Sequence, residues 1–105
     1  MMNLLKRVFG ESKQPEWSEI IGRGAQIIDV RTPAEYRGGH VKGSKNIPLS
    51  DLGGHLEKLK KAGKPIITCC ASGQRSGVAQ RKMESLGMEA YNGGPWQRVA
   101  QIIQS

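Results

Sequence analysis

No stretch of this chain comes near the eighteen or so consecutive apolar residues that a membrane-spanning helix requires. Nor does the short apolar start, MMNLLKRVF, lead into a small-residue cleavage site, so it does not read as a secretory signal. Cysteine is almost absent: the 105 residues hold two, Cys69 and Cys70, side by side. That excludes a disulfide framework, and adjacent cysteines close only a strained ring. They also lack the paired spacing of a zinc site, and His40 and His55 fall in different segments, so no metal and no other cofactor is expected. Aromatic residues make up only 5% of the chain, which leaves no stacking platform beside the formal charge of +7. No nucleic acid is expected as a partner. The lysines are dispersed apart from Lys58, Lys60, Lys61 and Lys64, which gather where a helix end would welcome them. Their field is expected to concentrate small anions in a salt-sensitive way. Length allows one domain with a modest core, and no internal repeat is visible.

What is present is concentrated in PIITCCASGQRS, residues 65–76. Pro65 to Thr68 read as a short strand, and Ser76 to Gln80 open a helical pattern. The turn between them exposes backbone N–H groups that have no intrahelical acceptor, a nest for negative charge at the positive end of a helix. A thiol placed there is pulled below its ordinary value of about 8.5. Arg75 adds a cation. Cys69 continues the apolar strand and is expected in the core, whereas Cys70 is followed by Ala71, Ser72 and Gly73, side chains too small to cover it. Cys70 is therefore the expected nucleophile.

Two registers compete. Counted from Cys70, CASGQR is a six-residue loop; counted from Cys69, C-x5-R followed by Ser76 formally matches the cysteine phosphatase signature. A phosphoryl group needs the wider loop, while the narrower one has room for little more than a sulfur atom. Gly73 lies three residues after Cys70, where a tight turn calls for a residue tolerant of unusual φ, and this favours the Cys70 register.

At CASGQRSGVAQRKMESLGMEAYNGGPW, residues 70–96, and IIDVRTPAEYRGGHVKGSKNIPL, residues 27–49, the chain resembles the single-domain rhodanese-like sulfurtransferases. The resemblance spans residues 16–96 or so. It implies an α/β, three-layer domain whose mainly parallel sheet has four or five strands and helices on both faces. It also implies a sulfane sulfur carried as a persulfide on Cys70, with Ala71, Ser72, Gly73, Gln74, Arg75 and Ser76 forming the substrate loop. Asp29, Arg31, Glu35 and His40 are the expected supporting residues. Asp29 and Arg31 suggest an internal ion pair, and His40 reads as structural rather than as a general base.

The local pattern agrees with such a fold. Gln26–Val30 is a β-branched run, Thr32-Pro33-Ala34-Glu35 is a capping box, and Gly38 and Gly39 close the helical turn that follows. Ser44–Ile47 makes a minimal strand. Leu49, Leu52, Leu56 and Leu59 predict one amphipathic helix. Ala79, Met83 and Leu86 are expected to be the buried stripe of the helix after the loop, which ends at Gly87. Glu89–Asn92 reads as a strand, Gly93 and Gly94 as the turn after it, and Trp96, Val99, Ala100 and Ile103 as the stripe of a last helix beginning at Pro95. Strands alternating with helices imply parallel pairing, with the cysteine at a strand's carboxyl end. Glu16, Trp17, Ile20 and Ile21 supply a helix stripe, but residues 10–15 make a poor strand. Residues 1–15 are therefore an extension, packed on the domain of residues 16–105 or disordered, with membrane contact not expected.

The chemistry expected is a double displacement that takes sulfur from a small anionic donor such as thiosulfate. The sulfur passes to a thiol, free or on a thioredoxin-like or other carrier protein. The cytoplasm, a reducing compartment, is the expected setting. Two rival readings are a phosphatase acting through Cys69 and a non-catalytic redox or persulfide-relay binding module.

Overall fold

A computed structural model describes residues 15–104. The expected extension lies almost entirely outside the described residues. Helix α1 (Trp17–Gly22) leads into β1 (Gln26–Asp29), a short α2 (Pro33–Arg37) and the two-residue β2 (Lys45–Asn46). A 3-10 segment (Leu49–His55) then passes into α3 (Leu56–Ala62), followed by β3 (Ile66–Cys70), α4 (Gln74–Ser85), β4 (Ala90–Pro95) and α5 (Trp96–Gln104). Among the described residues the sheet has four strands in the order β2-β1-β3-β4, and every pairing is parallel. Each strand is joined to the next through helical segments, as parallel pairing demands. No described helix is long and apolar enough to cross a membrane.

The alternation of side chains along a strand sorts the core into two layers. Ile28, Val30, Ile66 and Cys70 face Leu52, Leu56, Leu59, Ala79 and Met83 of the 3-10 segment, α3 and α4. Ile27, Ile67 and Cys69 face Ile20 and Val99, with Trp17, Trp96 and Ile103 of α1 and α5 packed against them. Helices thus cover both faces. Ile28 and Ile66 are fully buried, each worth about 1.5–3 kcal/mol of apolar transfer.

Several expectations are corrected here. The leucine-rich helix divides between His55 and Leu56: Leu49–His55 winds as a 3-10 segment and only Leu56 onward is α-helical, because Gly53 and Gly54 remove the intrinsic stability that continuous α-helix needs. Leu86 is not buried but 43% exposed. The chain turns there, the Gly87 N–H bonding to Glu84 O at 2.9 Å and the Met88 N–H to Met83 O at 3.1 Å, and Met88 packs against the core instead. Gly93 and Gly94 are not a turn after the strand; they lie within it. Between the pairs Thr68–Asn92 and Cys70–Pro95, β3 has one residue and β4 has two, so β4 bulges at these glycines. A Cβ on Gly93 would stand 2.5 Å from Val99 Cγ2 and 2.9 Å from Thr68 O, and only glycine lets α5 pack so close. Pro95 ends β4 rather than starting α5, which begins at Trp96.

Candidate active site

β3 is flanked on both sides, by β1 and β4, and delivers Cys70 to the carboxyl edge of the sheet. The next three residues turn sharply. Gly73 takes φ +103°, a conformation that a side chain would strain, and a Cβ there would meet Gly94 Cα at 3.3 Å. This lets α4 start immediately afterwards with Gly73 as its N-cap. Thr68 Oγ1 donates to Ser76 O at 2.8 Å, tying the first turn of α4 back to β3.

The loop converges on sulfur. The Gly73 N–H donates to Cys70 Sγ at 3.0 Å, the Ser76 N–H lies at 3.4 Å and the Ser76 hydroxyl at 3.4 Å. Burial pushes the thiol up, but the Ser76 hydroxyl and the N–H groups of Ser76, Gly73 and Ser72 together outweigh it and hold Cys70 at about 7. Cys69 behaves in the opposite way. Burial, reinforced by the nearby Asp29 carboxylate, pushes it up to about 12, which leaves it an inert core thiol at neutral pH. The two cysteines face opposite layers of the domain, and both are free.

Cys70 is itself fully buried, contrary to the expectation of an uncovered thiol. It packs within the core layer of Ile28, Val30, Ala79 and Met83, and the Gly73 and Ser76 N–H groups close on its sulfur. Arg75 also differs from expectation. Its guanidinium is turned to Glu35, with Nη1 to Oε1 at 2.9 Å and Nη2 to Oε2 at 3.0 Å, so much of its charge is already answered. Glu35 is at the same time the carboxylate of the capping box, accepting the Thr32 N–H at 3.0 Å while Thr32 Oγ1 accepts the Glu35 N–H at 3.2 Å. The Arg75 pairing, then the Thr32 N–H, holds Glu35 down to about 2.

Asp29 and Arg31 form the buried ion pair at the end of β1. Arg31 Nη2 donates to Asp29 Oδ2 at 2.8 Å and to Gly39 O at 2.7 Å, and its guanidinium lies 5.1 Å from the centre of the Trp96 ring. Asn46 clamps the same corner by donating to Asp29 O and Arg31 O. His40 is exposed, stacked on Tyr36 at 3.7 Å, with Nδ1 2.7 Å from Tyr36 O. A carbonyl only accepts, so that nitrogen carries a proton. No described contact links His40 to the loop. Ala71, Ser72 and Gln74 are exposed at the loop's rim, where Ser72 Oγ accepts the Gln74 N–H at 3.3 Å. A depression of about 360 Å³, lined by Val30, Thr32, Pro48, Leu49, Ser50 and Arg75, meets the loop at Arg75.

Sequence reasoning missed Asn92, read there only as the last residue of a strand. Its Nδ2 donates to Gly73 O at 3.0 Å, and its Oδ1 accepts the Ser76 hydroxyl at 2.7 Å and the Gly94 N–H at 2.9 Å. The signal that could have found it is the residue type, since asparagine is disfavoured in a strand unless its side chain has a task.

A thiol at the mouth of a strand-to-helix loop is shared by several chemistries, and comparison with known proteins decides the family. The rhodanese-like domain family matches residues 14–95. The chain belongs to that family. This rhodanese-like domain is 42% identical over 71 residues to the uncharacterized protein YqhL of Bacillus subtilis (strain 168), a match covering 67% of this chain and 56% of that protein. It is 38% identical over 64 residues to the uncharacterized protein slr1261 of Synechocystis, covering 60% of this chain and 35% of that one. The chain thus spans about half or less of the curated relatives it matches. Among solved structures, a rhodanese with anions from E. coli is 28% identical with a TM-score of 0.67, covering 73% of this chain and 93% of that one. The human single-domain sulfurtransferase TSTD1 is likewise 28% identical with a TM-score of 0.61, covering 83% and 91%. The rhodanese-like domain thus has the α/β fold that its sequence implied, and its family supports a sulfurtransferase or related role.

Proposed function

We propose that this rhodanese-like domain is a sulfurtransferase that carries a sulfane sulfur as a persulfide on Cys70. The observation that supports it best is the set of donors aimed at Cys70 Sγ, at 3.0–3.4 Å, from a loop that starts a helix. Those donors favour a thiolate near neutral pH and would equally receive the negative charge of a persulfide.

The reaction has two displacements. The Cys70 thiolate attacks the outer sulfur of thiosulfate, the new S–S bond forms as the old one breaks, and sulfite leaves with the electron pair. An acceptor thiolate, or cyanide in an assay, then attacks the outer sulfur of the persulfide. The acceptor leaves carrying that sulfur, and Cys70 returns as thiolate. The depression beside the loop takes the non-reacting part of the donor or acceptor, including a thiol on a carrier protein. Cys69 has no part in this chemistry, and its orientation into the opposite layer argues against the phosphatase register.

Intact mass after incubation with thiosulfate tests the proposal. The expected result is a gain of one sulfur that cyanide removes and that Cys70→Ser loses. No gain with thiosulfate or with any organic persulfide would leave a binding module as the better reading.

A further inference from the structure

The Ser76 hydroxyl carries a single proton, yet two acceptors lie within its reach. Cys70 Sγ is 3.4 Å away and Asn92 Oδ1 is 2.7 Å away. The orientation of the Asn92 amide is set by two further bonds: Oδ1 accepts the Gly94 N–H at 2.9 Å, and Nδ2 donates to Gly73 O at 3.0 Å. Oδ1 is an acceptor only, so the short contact to Ser76 places the hydroxyl proton on the Asn92 side. The lone pairs of Ser76 Oγ then face the sulfur, where they accept from a thiol but repel a thiolate.

We propose that Asn92 is a positioning residue that controls the protonation of Cys70 by competing with the sulfur for the Ser76 hydroxyl. In the resting arrangement the proton chain runs from Cys70 Sγ–H to Ser76 Oγ and from Ser76 Oγ–H to Asn92 Oδ1. When the thiol proton leaves to solvent, the Ser76 hydroxyl swings to sulfur, and Asn92 Oδ1 keeps the Gly94 N–H. Apart from the S–H bond, whose electron pair stays on sulfur as the proton passes to water, only these hydrogen bonds change. While sulfur is protonated the hydroxyl is spent on Asn92, and it becomes a stabilising donor once charge appears on sulfur.

The other charged groups around Cys70 do not duplicate this control. Arg75 of α4 is engaged by Glu35 of α2, and Asp29 and Arg31 at the end of β1 answer each other. Cys69 faces the opposite layer, as does Tyr91 of β4, whose hydroxyl is bonded to Glu89.

The proposal rests on Cys70 being the reactive thiol, and its test reads that thiol directly, whether or not sulfur is transferred. The titration follows ultraviolet thiolate absorbance, with a Cys70→Ala protein subtracted to remove tyrosine. Asn92→Ala and Asn92→Asp both lose the tie to Gly73 O, but only alanine loses the acceptor. Asn92→Ala is expected to lower the Cys70 pKa by about half a unit to one unit, the worth of a freed hydrogen bond. Asn92→Asp is expected to raise it. In a Ser76→Ala background Asn92→Ala is expected to have no effect, because the hydroxyl it competes for is gone. A rise with Asn92→Ala, or the same shift with and without the Ser76 hydroxyl, would overturn the proposal and leave Asn92 a tether of the loop.

Discussion

Arg75 and Glu35 meet face to face, Nη1 on Oε1 at 2.9 Å and Nη2 on Oε2 at 3.0 Å, and so bind the cysteine loop to the capping box of α2. One carboxylate therefore starts a helix and restrains the loop forty residues away. A donor anion seeking Arg75 has to compete with it.

That competition predicts opposite effects for two substitutions. Glu35→Gln should lower the KM for thiosulfate, by up to about fivefold, the scale of a part-exposed ion pair. Arg75→Ala should raise it about tenfold or more, as expected for loss of a charged donor. Steady-state kinetics checks both. A higher KM in Glu35→Gln would mean that the carboxylate's restraint of the loop matters more than its competition.

The same pair has a pH signature. Glu35 is held at about 2, below an ordinary carboxylate near 4.3, so its contribution to stability is complete above that ordinary value and is lost as pH falls through about 2. Thermal melts of wild type and Glu35→Gln should differ at pH 6 and converge toward pH 2. A constant gap across that range would show that the ion pair is not its source.

Cys70, held at about 7, should load sulfur at a rate that rises with pH, reaches half its plateau near pH 7 and is flat by about pH 8.5. Stopped-time mass spectrometry with thiosulfate measures this. A midpoint at the free-thiol value of about 8.5 would show that the loop does not acidify its cysteine.

The two cysteines should separate stability from chemistry. Cys70→Ser is expected to lose sulfur loading entirely. Cys69→Ser should keep most of it while losing about 1–3 kcal/mol of stability in urea, because a hydroxyl would replace a thiol that is 0% exposed in an apolar layer. Loading that survives in Cys70→Ser would reverse the assignment.

Gly93→Ala should cost about 1–3 kcal/mol or more, since the new Cβ falls 2.5 Å from Val99 Cγ2 with backbone close on its other side. Chemical denaturation checks it. Stability within a few tenths of wild type would mean that α5 shifts away without penalty.

Much of the domain could be read locally. The capping box at Thr32–Glu35 is a four-residue pattern whose hydrogen bonds close within that span. The strands and helices showed through side-chain periodicity, which reports burial one element at a time. At Gly93 and Gly94 local reading failed because of a distant partner. Gly93 and Gly94 have the composition of a turn, but pairing with β3 draws them into a strand, and α5 then needs the absence of a side chain there. Leu86 continued a helical stripe that the chain had already left at Ser85.

The amino-acid sequence by itself determined the alternation of strands and helices, the parallel fold it entails and the strand-to-helix turn that follows Cys70. These follow from propensities and hydrogen bonds between near neighbours. Only the tertiary structure decided what surrounds the sulfur: that Cys70 is buried in the core layer, that Arg75 turns to Glu35, and that Asn92 of β4 reaches Ser76 and Gly73. The physical reason is that these contacts join residues brought together by sheet order. A polar side chain or a cation carries no mark in sequence of which distant group will answer it.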